Sequence, residues 1–422
     1  MPETTKQRPP QTVKRKHKNH HPRPHPEHPA AEPPHAPQAT PTMTPRRRRL
    51  LVGVVAVGLL AGALLVSEEV QHSHLQAGYF SGLAAGLAYR VQDGASAAIR
   101  FPADGPFDER MGYTRLPRIT ERLATRGYVP ARQASFSPGL MAYTGSGYFA
   151  PYREKSHAGL DVADCRDQTL YRFRYPYRGY ADFPAVPERV AQALMFIENR
   201  DLLDASRPKM NPAVDWVRFT RAVLGQLGNL VGVDADAPGG STLATQIEKY
   251  RHSPDGVTYD AGEKLRQMIS ASTRAYLDGE ETLPVRRRIL LDYLNTVPLS
   301  AAAGFGEVNG LGDGLWVWFA ADFDRVNALL AAPDGEGETL AEQGGALKQV
   351  IALMIAHRRP SYYLSAAGRD NLEQQTQSYA RLFAEHGLIS PALRDAALAR
   401  PLQFRDLKAN PPLLPASVSR RR

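Results

Sequence analysis

The chain has 422 residues, 43% of them apolar, enough to fill the core of one large or two medium domains and too many for a wholly disordered protein. Its net charge of +9 resides almost entirely in the first 49 residues, which hold 11 Lys/Arg against 3 Asp/Glu and leave 41 basic and 40 acidic side chains elsewhere. A near-neutral body lacks the electrostatic footprint of a nucleic-acid-binding protein, and a single cysteine, Cys165, excludes an intrachain disulfide.

From Met1 to Pro45 the chain is rich in Pro, His, Lys and Arg and has almost no large apolar side chain, so residues 1–49 are expected to form a disordered basic tail. Six histidines between His17 and His35 have no fixed ligand spacing, and a solvated tail explains them better than a metal site. Arg46 to Arg49 then precede seventeen uncharged residues, Leu50 to Val66. As a helix that run is about 25 Å long, near the lower limit for crossing a bilayer. The arginine block places the tail inside by the positive-inside bias, and a 49-residue leader is too long for a cleaved signal peptide. The expectation is one uncleaved transmembrane helix over 50–67.

Residues 68–184 break into short segments punctuated by Gly and Pro. "LPRITERLATRGYVPA" predicts a short helix with Leu116, Ile119 and Leu123 on one face and Gly127 as its stop, and "QTLYRFRYPYRGYADF" predicts strand and turn. No catalytic spacing occurs here, so the region is taken as a small α+β spacer or pedestal.

After Pro184, "VPERVAQALMFIENRDLL" predicts a helix whose stripe of Val190, Leu194 and Ile197 ends at Glu198. Alone, such an acid is most simply a solvated helix-end charge. Further helices are predicted over "NPAVDWVRFTRAV" and over 262–277, 286–296 and 346–357, and "LEQQTQSYARLFAEHGLIS" predicts another near the end of the domain. In "PGGSTLATQIEKYRHS" two glycines precede a Ser-Thr pair at a helix start, where free N–H groups and hydroxyls can hold an anion, with Lys249 two turns on. An ordinary N-cap is the commoner meaning of that pair taken alone. "GFGEVNGLGDG", residues 304–314, has the wrong glycine spacing for a dinucleotide fingerprint and follows no clear strand, so a structural role fits it better. Ser206-Arg207-Pro208-Lys209 has the Ser-x-x-Lys spacing of penicillin-reactive sites, but Pro208 opposes the required helix and no Lys-Thr-Gly follows.

Taken in order over about 185–400, these residues resemble glycosyltransferase family 51, the peptidoglycan glycosyltransferases of class A penicillin-binding proteins and their monofunctional relatives. Glu198-Asn199-Arg200-Asp201-Leu202 is similar to the first motif, and Val214-Asp215 and Arg221-Ala222 match later pairs. Gly239 through Lys249 resembles the second motif, with Ser241, Thr242, Gln246 and Lys249 on pattern and Ala244 and Thr245 off it. Lys264-Leu265-Arg266-Gln267 corresponds to the third, Ile289 through Asn295 to the fourth, and "VIALMIAHRRPSYY", residues 350–363, to the fifth. The resemblance implies a mainly α-helical, lysozyme-like glycosyltransferase domain over 185–405, with a C-terminal tail over 406–422.

It also implies the chemistry. Lipid-linked disaccharide pentapeptide is joined to a growing glycan strand at the periplasmic face of the inner membrane, the protein being single-pass with a cytoplasmic N-terminus and working beside other cell-wall synthesis proteins. Glu198 takes the place of the base, and Gln267 that of the second family acid. Asn199, Arg200, Ser241, Thr242, Gln246, Lys249, Lys264 and Asn295 take substrate-binding places. The resemblance fixes no cofactor and leaves room for a divalent ion, Mg or Mn, to assist, for which no ligand set is readable. Two departures bear on activity: Asn199 replaces an aspartate, and Gln267 can hydrogen-bond but cannot carry or donate a carboxyl proton. Two functions therefore stay open, a monofunctional polymerising enzyme and a catalytically impaired, membrane-anchored binding or scaffold protein of the same fold.

Overall fold

The structure is a computed structural model that describes residues 45–216 and 241–412. The tail up to residue 44, the Arg221-Ala222 pair with most of its predicted helix, Gly239, Gly240 and residues 413–422 lie outside the described residues.

Helix α1 (Pro45–His72) carries the arginine block at its start and is long and apolar enough to cross a membrane. It runs past the expected 67 because nothing in "SEEVQH" breaks a helix until Ser73, which sits in the left-handed region at φ 55°. Helix α2 (His74–Ala85) follows at once, and its first N–H groups, orphaned by the break, are accepted by the Glu69 carboxylate, from Leu75 at 2.7 Å and Gln76 at 2.9 Å.

The small α+β region is built on two hairpin-like pairs. Strand β1 (Tyr89–Asp93) runs antiparallel to β2 (Arg132–Phe136), Tyr89 opposite Phe136 and Asp93 opposite Arg132. Between them lie α3 (Pro106–Arg110) and α4 (Leu116–Ala124), the latter followed by Gly127 at φ 82°, the stop its sequence predicts. Helix α5 (Pro138–Gly145), N-capped by Ser137, packs Leu140 and Tyr143 against Leu87 and Phe136. Strands β3 (Ala158–Ala163) and β4 (Thr169–Tyr175) form an exposed hairpin.

The rest is helical: α6 (Glu188–Glu198), α7 (Leu243–His252), α8 (Ala261–Ala275), α9 (Leu283–Thr296), the β5–β6 hairpin (Pro298–Ala302 and Gly306–Asn309), α10 (Gly310–Phe319), α11 (Phe323–Ala331), α12 (Gly337–Ala356), α13 (Pro360–Tyr363), α14 (Arg369–Glu385) and α15 (Pro391–Ala399). Helix α12 is apolar on every side from Val350 to Ala356, and a helix apolar all round has to be enclosed. It is, by α6, α10, α11, α14 and α15. Its one interior charge, Lys348, is satisfied by Glu373 and the Arg400 carbonyl. Helices α7, α8 and α9 form a second group that joins this core through Leu243, Ile247 and Leu290. The glycine-rich run is structural. Gly310, at φ 78°, lies so close to Asn295 that a Cβ would come within 2.4 Å of its carbonyl oxygen, and buried Asp313 accepts the N–H groups of Tyr177 and Arg178.

Candidate active site

Glu198 is the last residue of α6. The stripe Val190, Leu194 and Ile197 drives that helix into the core, and Asn199 ends it at φ −157°, so the carboxylate stands where apolar packing stops. It is only 7% exposed. Oε2 accepts a hydrogen bond from Gln246 Nε2 at 3.0 Å, and Oε1 accepts from Arg358 Nη2 at 3.0 Å and Nε at 3.3 Å. His357 Nε2 lies 3.5 Å from the same oxygen, and burial lowers its pKa against the pull of the carboxylate. Gln246 is itself oriented by the hydroxyl of Tyr293, which donates to its Oε1 at 3.2 Å and which burial keeps protonated.

The start of α7 supplies the cationic side. Thr242 is its N-cap, and Thr245 closes a capping box: each side chain accepts the other's backbone N–H, at 3.3 Å and 2.9 Å. The off-pattern threonine at 245 thus has a local job that a glutamine would do differently. Lys264, reaching across from α8, donates its Nζ to Ser241 Oγ at 2.6 Å. Burial, and then the charge of Lys249, bring its pKa down to about 8. Burial also lowers Lys249, whose charge is in turn favoured by Glu198. Ser241, Gln246, Lys249, Lys264 and Glu198 are therefore one electrostatic unit, with more positive than negative charge and a helix N-terminus behind it. Such a unit suits a substrate that carries an anion next to a proton-bearing nucleophile.

The other predicted residues sit elsewhere. Gln267 is fully buried on α8, where Nε2 donates to Ser253 Oγ at 3.0 Å and Thr258 Oγ1 at 2.9 Å, tying α8 to the turn after α7. Ser253 gives its own proton to Glu263. Asn295 clamps Tyr180, accepting its N–H and donating to its carbonyl, both at 2.8 Å. Arg200 stacks over Phe196, 3.9 Å from the ring centroid. Asn199 and Thr242 line a separate cleft of about 80 Å³ with Asp201, Arg207 and Asp215. A carboxylate at 267 would lose two donated hydrogen bonds at a site without water access. Gln267→Glu should therefore destabilise the protein by about 1–3 kcal/mol and give no gain in activity, a result that thermal melting and turnover read together.

Around Glu198 the described residues offer a single carboxylate already held by Arg358 and Gln246, which fits a divalent ion poorly. The three-residue His/Glu set whose ligating atoms lie within 4.8 Å, Glu68, His72 and His74, is at the α1–α2 corner instead. Arg358, His357 and Tyr293 are the site residues that motif reading did not single out. All three stand in quoted motifs, but only the fold shows which of two adjacent arginines turns toward Glu198.

A helical, lysozyme-like glycosyltransferase domain behind an N-terminal apolar helix is the class these features define. The family model described as Transglycosylase matches residues 166–383, more than half of the chain. The chain belongs to that family, the transglycosylase domain of glycosyltransferase family 51. No curated protein matches it.

Proposed function

We propose that this protein polymerises lipid-linked disaccharide pentapeptide into glycan strands, with Glu198 as the base and the Ser241–Lys249–Lys264 group as the seat of the donor's pyrophosphate. The acceptor's sugar hydroxyl gives its proton to Glu198 as its oxygen bonds to the donor's anomeric carbon, and the bond from that carbon to the pyrophosphate oxygen breaks. The leaving undecaprenyl pyrophosphate gains negative charge, which two lysines and the α7 N-terminus oppose. What carries this reading is the juxtaposition of Glu198 with Gln246, Lys249 and, one step on, Lys264 and Ser241. Helix α1 as a single-pass anchor keeps the domain with a substrate whose lipid stays in the bilayer, on the periplasmic side of the inner membrane.

The test is incubation of the purified full chain with lipid-linked disaccharide pentapeptide, with polymer resolved by gel. Substrate binding without polymer would overturn the enzyme reading in favour of an impaired binding protein. Lys264 adds a pH signature. Because its charge is lost as pH rises through about 8, KM for the lipid-linked donor should rise there, by roughly tenfold for one charge-assisted contact. Lys264→Arg, which stays charged, should flatten that limb of the profile.

A further inference from the structure

Helix α4 holds none of the candidate site residues and lies ahead of the residues matched by the family, 166–383. No residue in it is buried. Leu116, Ile119 and Leu123 project along one face at i, i+3 and i+7 and are 37%, 44% and 43% exposed. After the Gly127 stop the chain presents Tyr128 and Val129, 64% and 82% exposed. A helix of a water-soluble domain turns such a stripe into the core. This one turns it outward.

Its polar side is as unusual. Arg118 and Arg122 stand one turn apart beside the stripe, with Arg115 just before the helix and Arg126 just after it, and Glu121 is the one acid between Met111 and Val129. No ion pair or side-chain hydrogen bond engages any of the four guanidinium groups among the described residues. An outward apolar stripe edged by unpaired arginines is the pattern of a helix that lies in a lipid–water interface, the apolar side chains in the acyl boundary and the arginine stems reaching up to phosphate.

We propose that α4 is a second, peripheral membrane contact that docks on the surface of a bilayer containing anionic lipid. The charge favours lipid over a protein partner, because four guanidinium groups with no partner among the described residues, beside three aliphatic side chains, match a sheet of phosphates over hydrocarbon. Three large side chains bind weakly by themselves. They suffice in a chain that carries its own apolar span, since tethering makes docking a local event at high effective concentration. Nothing in this depends on the reaction assigned to Glu198, so a dry α4 and a failed polymerisation are separate outcomes.

The experiment uses the full chain reconstituted in vesicles, with exposed Cys165→Ser as background and a nitroxide at Ile119→Cys or, as the water-side control, Glu121→Cys. Collision with oxygen, which concentrates in lipid, is compared with collision with a water-soluble nickel chelate. In phosphatidylglycerol–phosphatidylethanolamine vesicles the label at 119 should meet oxygen more and chelate less than the label at 121, and phosphatidylcholine vesicles should erase much of that difference. Arg118→Gln and Arg122→Gln should each reduce the docked population ratio roughly fivefold. The proposal falls if chelate reaches both positions equally in the phosphatidylglycerol-containing vesicles. It falls equally if the label at 119 is shielded from both reagents, which would mean that protein, from this chain or another copy, covers the stripe. All these substitutions are at exposed positions, so folding is not at stake.

Discussion

Glu198→Gln should abolish polymerisation while leaving the protein folded. The substitution keeps the shape of the side chain and removes its ability to accept a proton, the one property that the proposed reaction takes from it. A positioned general base contributes about 10²–10⁴-fold, so turnover should fall by that factor with substrate binding little changed. The neighbours allow this separation. Gln246 can still donate to the amide oxygen, and Arg358, whose side chain is half-exposed, can turn to water when its carboxylate partner is gone. The stability change should stay within about 1 kcal/mol, because an exposed arginine that loses its partner loses little. Single-turnover rates on bound substrate and a thermal melt check the two halves. If polymer formation persisted within a factor of about ten, the proton would have another acceptor and the assignment of Glu198 would be wrong.

The helices were legible where burial is one-sided or complete. The α6 stripe ends on Glu198 in the sequence and in the structure, and the apolar run from Val350 to Ala356 announces a helix with no solvent face. Helix α15 was missed because Pro391–Ala399 is short and its burial rests on two residues, Leu393 and Ala397, that read as surface until α12 is seen beneath them. Within the candidate site, the family resemblance pointed to Glu198, Gln246, Lys249 and Lys264, which the fold places near one another. It could not give Arg358 as the partner of Glu198, because the two are 160 residues apart and nothing local couples them. The same limit explains Gln267: its place in a motif says nothing of Ser253 and Thr258, the two hydroxyls that hold it.

A buried charge cluster joins the α+β region to the helical domain, and the second large effect is expected there. Glu154 is almost wholly buried and lies 3.1 Å from Arg251 Nη1, 2.9 Å from His252 Nε2 and 3.3 Å from Arg274 Nη2. His252 also holds Asp108 through Nδ1 at 2.8 Å, whereas its approach to Glu154 is an ion pair without hydrogen-bond alignment. Burial opposes ionisation of Glu154, yet the charges of Arg274, His252 and Arg251 together hold its carboxyl well below the usual range. Burial likewise opposes protonation of His252, and Glu154 and Asp108 overcome it, pushing the pKa up to about 9. Glu154→Ala would leave two arginines and a charged histidine buried without their common partner. The expected cost is about 3–5 kcal/mol, read as a large fall in the melting midpoint of the full chain, with early proteolysis in residues 93–154. The pH dependence has a definite sign. A histidine whose folded pKa is raised contributes stability that is complete below its unfolded value near 6.5 and is lost as pH rises through about 9. Wild-type protein should therefore lose stability above neutral pH, with the loss levelling off past 9, and His252→Gln should remove that slope. Because Arg251 and His252 end the helix that begins at Thr242 and carries Lys249, loosening this cluster should also lower polymerisation. A Glu154→Ala protein that melted within about 1 kcal/mol of wild type would show that solvent enters the cluster and screens it.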